Sequence, residues 1–106
     1  MQDFDPRKDE DRAYLAAALT AYALGLKTEA ILSRQRRSPA EARGRQIAMY
    51  LLREEAGLPL SAIGRFMGGK NHTTVLHAHQ RISSQITVDP HIRRDVFNLR
   101  EALTNA

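Results

Sequence analysis

The chain has 106 residues, 42% of them apolar and 26% charged, with a formal net charge of +4. That is one domain of ordinary globular composition, and it excludes fibrous, low-complexity and multidomain architectures. There is no cysteine, which removes disulfide frameworks and thiolate zinc sites and fits a reducing compartment.

The N-terminal segment, residues 1–11, holds five acidic side chains, Asp3, Asp5, Asp9, Glu10 and Asp11, against Arg7 and Lys8. It reads as a solvated acidic tail, too polar for a secretory signal. No apolar run reaches the roughly 20 residues of a membrane span, so a soluble cytoplasmic protein is expected. From Asp11 to Leu26, Tyr14, Leu15, Ala18, Leu19, Tyr22 and Leu26 recur at helical spacing, and Thr28 to Leu32 adds one or two turns. Arg34-Gln-Arg-Arg37 has no periodicity and reads as an exposed loop. Ser38-Pro39-Ala-Glu41 is a helix start on three counts: a hydroxyl cap, a proline at the first helical position and a glutamate that can reach back to the cap. That helix should run to about Ala56 and stop at Gly57. Its core face uses Ile47, Ala48, Leu51 and Leu52, leaving Arg43, Arg45, Gln46 and Arg53 outward.

A short helix follows from Leu60 to Met67, with Leu60, Ile63, Phe66 and Met67 at helical spacing. Gly68-Gly69 breaks it, because glycine accepts positive φ without steric cost. The next helix begins near His72 with Asn71 or a neighbour as its cap, runs to about Ile86, and buries Val75, Leu76, His79 or Ile82, and Ile86. Asp89-Pro90 repeats the cap-plus-proline signal for a last helix through Phe97, Leu99 and Leu103. No segment alternates like a strand or repeats, so the expected fold is all-α.

Residues 34–81 carry nine basic side chains against three acidic ones. Such a stretch is either a solvated helix face or a surface that attracts a polyanion, nucleic acid first, by Coulomb attraction and counterion release. A basic helix, a short helix, a glycine turn and a helix opening on Asn71-His72-Thr73-Thr74 form a helix-turn-helix pattern. In that motif the second helix enters the major groove tip first. Imidazole supplies a donor and an acceptor, and threonine a hydroxyl and a methyl suited to base edges.

Arg43-Gly-Arg-Gln-Ile-Ala-Met-Tyr-Leu51, Leu60-Ser-Ala-Ile-Gly64 and Gly68-Gly-Lys-Asn-His-Thr-Thr-Val-Leu-His-Ala78 closely resemble the C-terminal DNA-binding domain of the bacterial replication initiator DnaA. The resemblance covers roughly residues 15–104. It implies a Trp-repressor-like helix-turn-helix over residues 12–106, behind the 1–11 tail, that binds double-stranded DNA at short asymmetric DnaA boxes. By matching positions, Asn71, His72 and Thr73 would read bases, and Thr74 a base or phosphate. Arg37 would enter the minor groove, with Arg36 the neighbouring candidate because the preceding loop is one residue longer than usual. Arg45, Gln46, Arg53, Leu60, Ser61 and Lys70 would contact or approach the backbone. Lys70-Asn71 stands where the family usually has Arg-Asp, so the preferred sequence is expected to differ from the usual box. Gly44 replaces a common proline, and Phe66-Met67 a common Ala-Phe.

The initiator's ATPase and N-terminal interaction domains have no counterpart in this sequence. The chain is then either a stand-alone regulator of replication or transcription, which Met1 and the acidic tail favour, or a detached initiator domain. The competing reading is an adaptor that keeps the fold and binds a protein partner, perhaps the initiator itself, through a helix face or the tail.

Enzymatic readings are weaker. Gly64-Arg-Phe-Met-Gly-Gly69-Lys70 fits seven positions of a phosphate-binding loop, but Asn71 replaces the magnesium-binding hydroxyl and a helical pattern precedes it. His72, His77, His79 and His91 lack cysteine or carboxylate partners at metal spacing, and His77 or His79 reads as a packed residue with one satisfied nitrogen. No acid/base pair stands out, and no cofactor, metal or small-molecule substrate is expected. Tyr14, Tyr22, Tyr50, Phe66 and Phe97 fall at core spacing, which argues against single-strand stacking.

Overall fold

The computed structural model describes residues 8–33 and 38–105. Its elements are all helical: α1 (Asp9–Leu24), α2 (Thr28–Leu32), α3 (Pro39–Glu54), α4 (Leu60–Phe66), α5 (His72–Val88) and α6 (Pro90–Thr104). The long basic helix α3 is the spine. All five other helices pack on it, α5 and α1 most extensively.

Helix starts follow local chemistry. The Ser38 hydroxyl accepts from the Glu41 N–H at 3.1 Å with Pro39 behind it. One oxygen of Asp89 accepts from both His91 and Ile92 N–H groups ahead of α6. Helix α1 begins at Asp9, earlier than the sequence suggested, and its first turn carries Asp9, Glu10 and Asp11, where negative charge complements the helix dipole. Gly25 ends it in the left-handed conformation, with φ 69°.

The core joins all six helices through Ala16 and Ala17 of α1, Ile31, Ile47, Leu51, Leu52, Ile63, Met67, Val75 and Ile82, with Val96, Leu99 and Leu103 of α6. Three sequence expectations about its lining are corrected. Helix α1 buries Ala13, Ala16, Ala17, Thr20 and Ala21, so Tyr14 and Tyr22 are 57% and 90% exposed. Small side chains let α1 lie close against α3, and the bulky tyrosines occupy the opposite face. In α5 the buried face is Val75, Ala78 and Ile82, which turns Leu76 partly outward. Helix α6 buries Ile92, Val96, Leu99 and Leu103, a regular stripe that leaves Phe97 exposed.

At Gly44 α3 meets the ends of the Ile31, Leu26 and Leu24 side chains, and a Cβ there would make the Ile31 terminal methyl shift.

Candidate nucleic-acid interface

The tip of α5 is set by the turn that precedes it. Met67, fully buried, closes α4, and Gly68 and Gly69 follow with φ 83° and 75°. Both angles lie in the region that only glycine occupies at no cost. The Lys70 N–H then donates to the Gly64 carbonyl at 2.8 Å. Gly64 is packed so tightly that the Lys70 carbonyl oxygen stands where a Cβ would be. This glycine therefore serves close packing of a turn on a helix, which accounts for the phosphate-loop-like spacing without a phosphate.

Asn71 caps α5: its Oδ1 accepts from the Thr74 N–H at 2.9 Å. Asn71, His72, Thr73 and Thr74 are all exposed, and Val75 directly behind them is fully buried. The structure thus brings the four base-reading candidates together on one projecting helix end. A helix's first-turn N–H groups have no intrahelical acceptor, so those beyond the one that Asn71 caps suit an anion.

Beside this tip, between α3 and α5, runs a groove of about 450 Å³ lined by Ala42, Arg45, Gln46, Met49, Lys70, Thr74, His77, Ala78 and Arg81. It unites three of the expected backbone-contacting residues, Arg45, Gln46 and Lys70. Arg45 departs from expectation. It is only 5% exposed, and its Nη1 donates to the Ser33 carbonyl at 3.1 Å at the end of α2. That bond to the C-cap of α2 holds the guanidinium inward, so Arg45 braces the chain before α3 while still lining the groove.

His77 and Arg81 were missed in the sequence reading. Both are exposed and line the groove. Their signal was present: Thr74, His77 and Arg81 fall three and four residues apart and so share one face of α5. His79, by contrast, is a packed residue. Its Nε2 lies 2.6 Å from Glu54 Oε1 and its ring stacks on Tyr50 at 5.1 Å.

Arg53, Leu60 and Ser61 form a second group where α3 leads into α4. Arg53 is exposed and donates to the Leu58 carbonyl at 3.0 Å, which ties down the loop that presents Leu60 and Ser61. Arg36 and Arg37 lie outside the described residues. Among the described residues no three His, Asp or Glu side chains converge as a metal site, and no helix is long and apolar enough to cross a membrane.

Comparison with known proteins decides the family. The family model described as the bacterial DnaA protein helix-turn-helix matches residues 16–82. The chain belongs to this family. A crystal structure of a DNA replication initiation factor superimposes with a TM-score of 0.81 and 29% sequence identity. The match covers 93% of this chain and 30% of that one, so the protein spans about a third of that factor's length. Within the DnaA helix-turn-helix, α4 and α5 are the two helices on either side of the glycine turn. Family membership supports DNA binding.

Proposed function

We propose that this protein binds double-stranded DNA sequence-specifically at sites resembling DnaA boxes. It would act as a regulator of replication or transcription at the nucleoid, or as the detached DNA-binding part of an initiator. The observation that carries this reading is the projecting tip of α5, where four adjacent polar residues stand exposed beside a cationic groove.

Asn71, His72, Thr73 and Thr74 read base edges in the major groove, with Thr74 also able to reach a phosphate. Lys70, Gln46 and the braced Arg45 hold one strand's phosphates along the α3–α5 groove. Arg53, Leu60 and Ser61 approach the backbone from the start of α4. Arg37 enters the neighbouring minor groove. Phosphate contacts fix position and affinity, and the helix tip fixes sequence.

Titration of a duplex carrying a DnaA box and of a scrambled duplex at physiological salt tests the proposal. Specific sites are typically bound at least a thousandfold more tightly than random ones. Equal affinity for both duplexes would overturn it and favour the adaptor reading, for which Tyr14 and Tyr22 on the outer face of α1 offer an exposed aromatic surface.

A further inference from the structure

We infer that Asn71 selects its base by donating, so that the recognition helix favours guanine, and disfavours adenine and cytosine, at the base pair Asn71 faces. The inference rests on the reading of α5 as the DNA-recognition helix and adds the identity of one base to it.

The two ends of an asparagine amide have nearly the same shape, and hydrogen bonding decides which way the group is turned. Here the choice is forced. Oδ1 accepts from the Thr74 N–H at 2.9 Å; the reversed amide would set its –NH2 against that N–H, donor against donor. The cap therefore holds the carbonyl back toward the helix and turns Nδ2, with two hydrogens, outward on an exposed residue.

The usual pairing of asparagine in the major groove is with adenine, and it uses both ends of the amide: –NH2 to N7 and carbonyl to the N6 amino group. At this position the carbonyl is engaged at the helix start, so that two-point contact would compete with the cap. Guanine asks nothing of the carbonyl. Its N7 and O6 are adjacent acceptors that a single –NH2 can serve. Thymine offers one acceptor, O4, and ranks second; adenine's N7 also accepts, but its N6 amino group sets a donor beside it. Cytosine presents its N4 amino group, a donor facing a donor. Lys70, next in the chain and also a donor, biases the same side of the tip toward acceptor-rich edges.

Selection of bound sites from a random duplex pool by the wild type, Asn71→Asp and Asn71→Ser tests this. Aspartate and serine cap a helix about as well as asparagine, so α5 keeps its start in all three proteins, as equal melting temperatures will verify. Aspartate turns the outward atom into an acceptor, which suits the cytosine amino group. Serine is too short to reach. One column of the aligned sites should read guanine for the wild type, cytosine for Asn71→Asp and no preference for Asn71→Ser. On two duplexes differing only there, the wild type should prefer the guanine site by about tenfold and Asn71→Asp should reverse the order. Because the readout is a ratio, the added negative charge cancels from it. Identical columns for wild type and Asn71→Asp, or adenine or cytosine in the wild-type column, would overturn the inference while leaving α5 as the recognition helix. Failure of all three proteins to enrich any site would overturn both.

Discussion

His72 and His79 lie two turns apart on one helix and do unrelated work. His79 is held between Glu54 and Tyr50 of α3, so His79→Ala removes a hydrogen bond to a charged group and a ring stack. It should lower the unfolding free energy by about 1 to 3 kcal/mol in urea titrations. His72 is exposed at the start of α5. His72→Ala should leave stability within about 0.5 kcal/mol, yet cost about 1 to 3 kcal/mol of binding at the preferred duplex while sparing nonspecific binding. Equal losses on preferred and random duplexes would remove His72 from base readout. Tyr50, the residue under His79, adds a pH signature. Burial, and then the negative charge of Glu54, push its hydroxyl above the ordinary tyrosine value near 10, with Arg100 opposing. The unfolded chain therefore loses this proton at a lower pH than the folded one does. The contribution is absent below pH 10 and erodes stability as the pH climbs from 10 toward the folded value. Tyr50→Phe should lose less stability than the wild type over that alkaline range, as paired denaturation curves will reveal.

Among the elements, the turn between α4 and α5 places the tip of α5, and Gly64 makes that turn possible. Its Lys70 contact is backbone against backbone, which no side-chain rotation relieves. Gly64→Ala should cost about 3 kcal/mol by the usual penalty for overpacking. Any folded fraction should lose sequence preference before it loses charge-driven binding, because the tip moves and the groove charges stay. Unchanged melting and unchanged specificity would contradict this account of the turn. Ser38-Pro39-Glu41 and Asp89-Pro90 were legible as helix starts because a cap is a contact over three residues. The helix-turn-helix was legible from its glycines and its polar tip for the same reason. The buried face of α1 was not: Ala16, Ala17 and Ala21 count as apolar but carry little weight beside Tyr14 and Tyr22, and only the close approach of α3 favours the smaller set. Arg45 was misread because a basic residue in a basic helix looks solvated until α2 is known to lie against it.

At the scale of the whole molecule, the charge is sorted along the spine. Arg45 in the groove and Glu55 just beyond the end of α3, where Arg12 of α1 donates to the Glu55 carbonyl, are ten residues apart. That is about 15 Å along a helix. The acidic first turn of α1 thus lies well beyond the Debye length of about 8 Å at physiological salt. Counterions there screen Asp9 and Glu10 from a phosphate seated in the groove, whereas Arg81 and Lys70 line the groove itself. Removing a charge from each end should therefore have different consequences. Arg81→Ala should weaken binding to every duplex and reduce the slope of log affinity against log salt by about one, the loss of one released counterion. Asp9→Asn combined with Glu10→Gln should leave that slope unchanged above about 0.15 M salt and raise affinity only at low ionic strength, where the screening length grows past the separation. Fluorescence titrations across a salt series measure both. An Arg81→Ala slope equal to that of the wild type would mean that the DNA strand does not run through the α3–α5 groove, and Arg53 with the start of α4 would be left as its track.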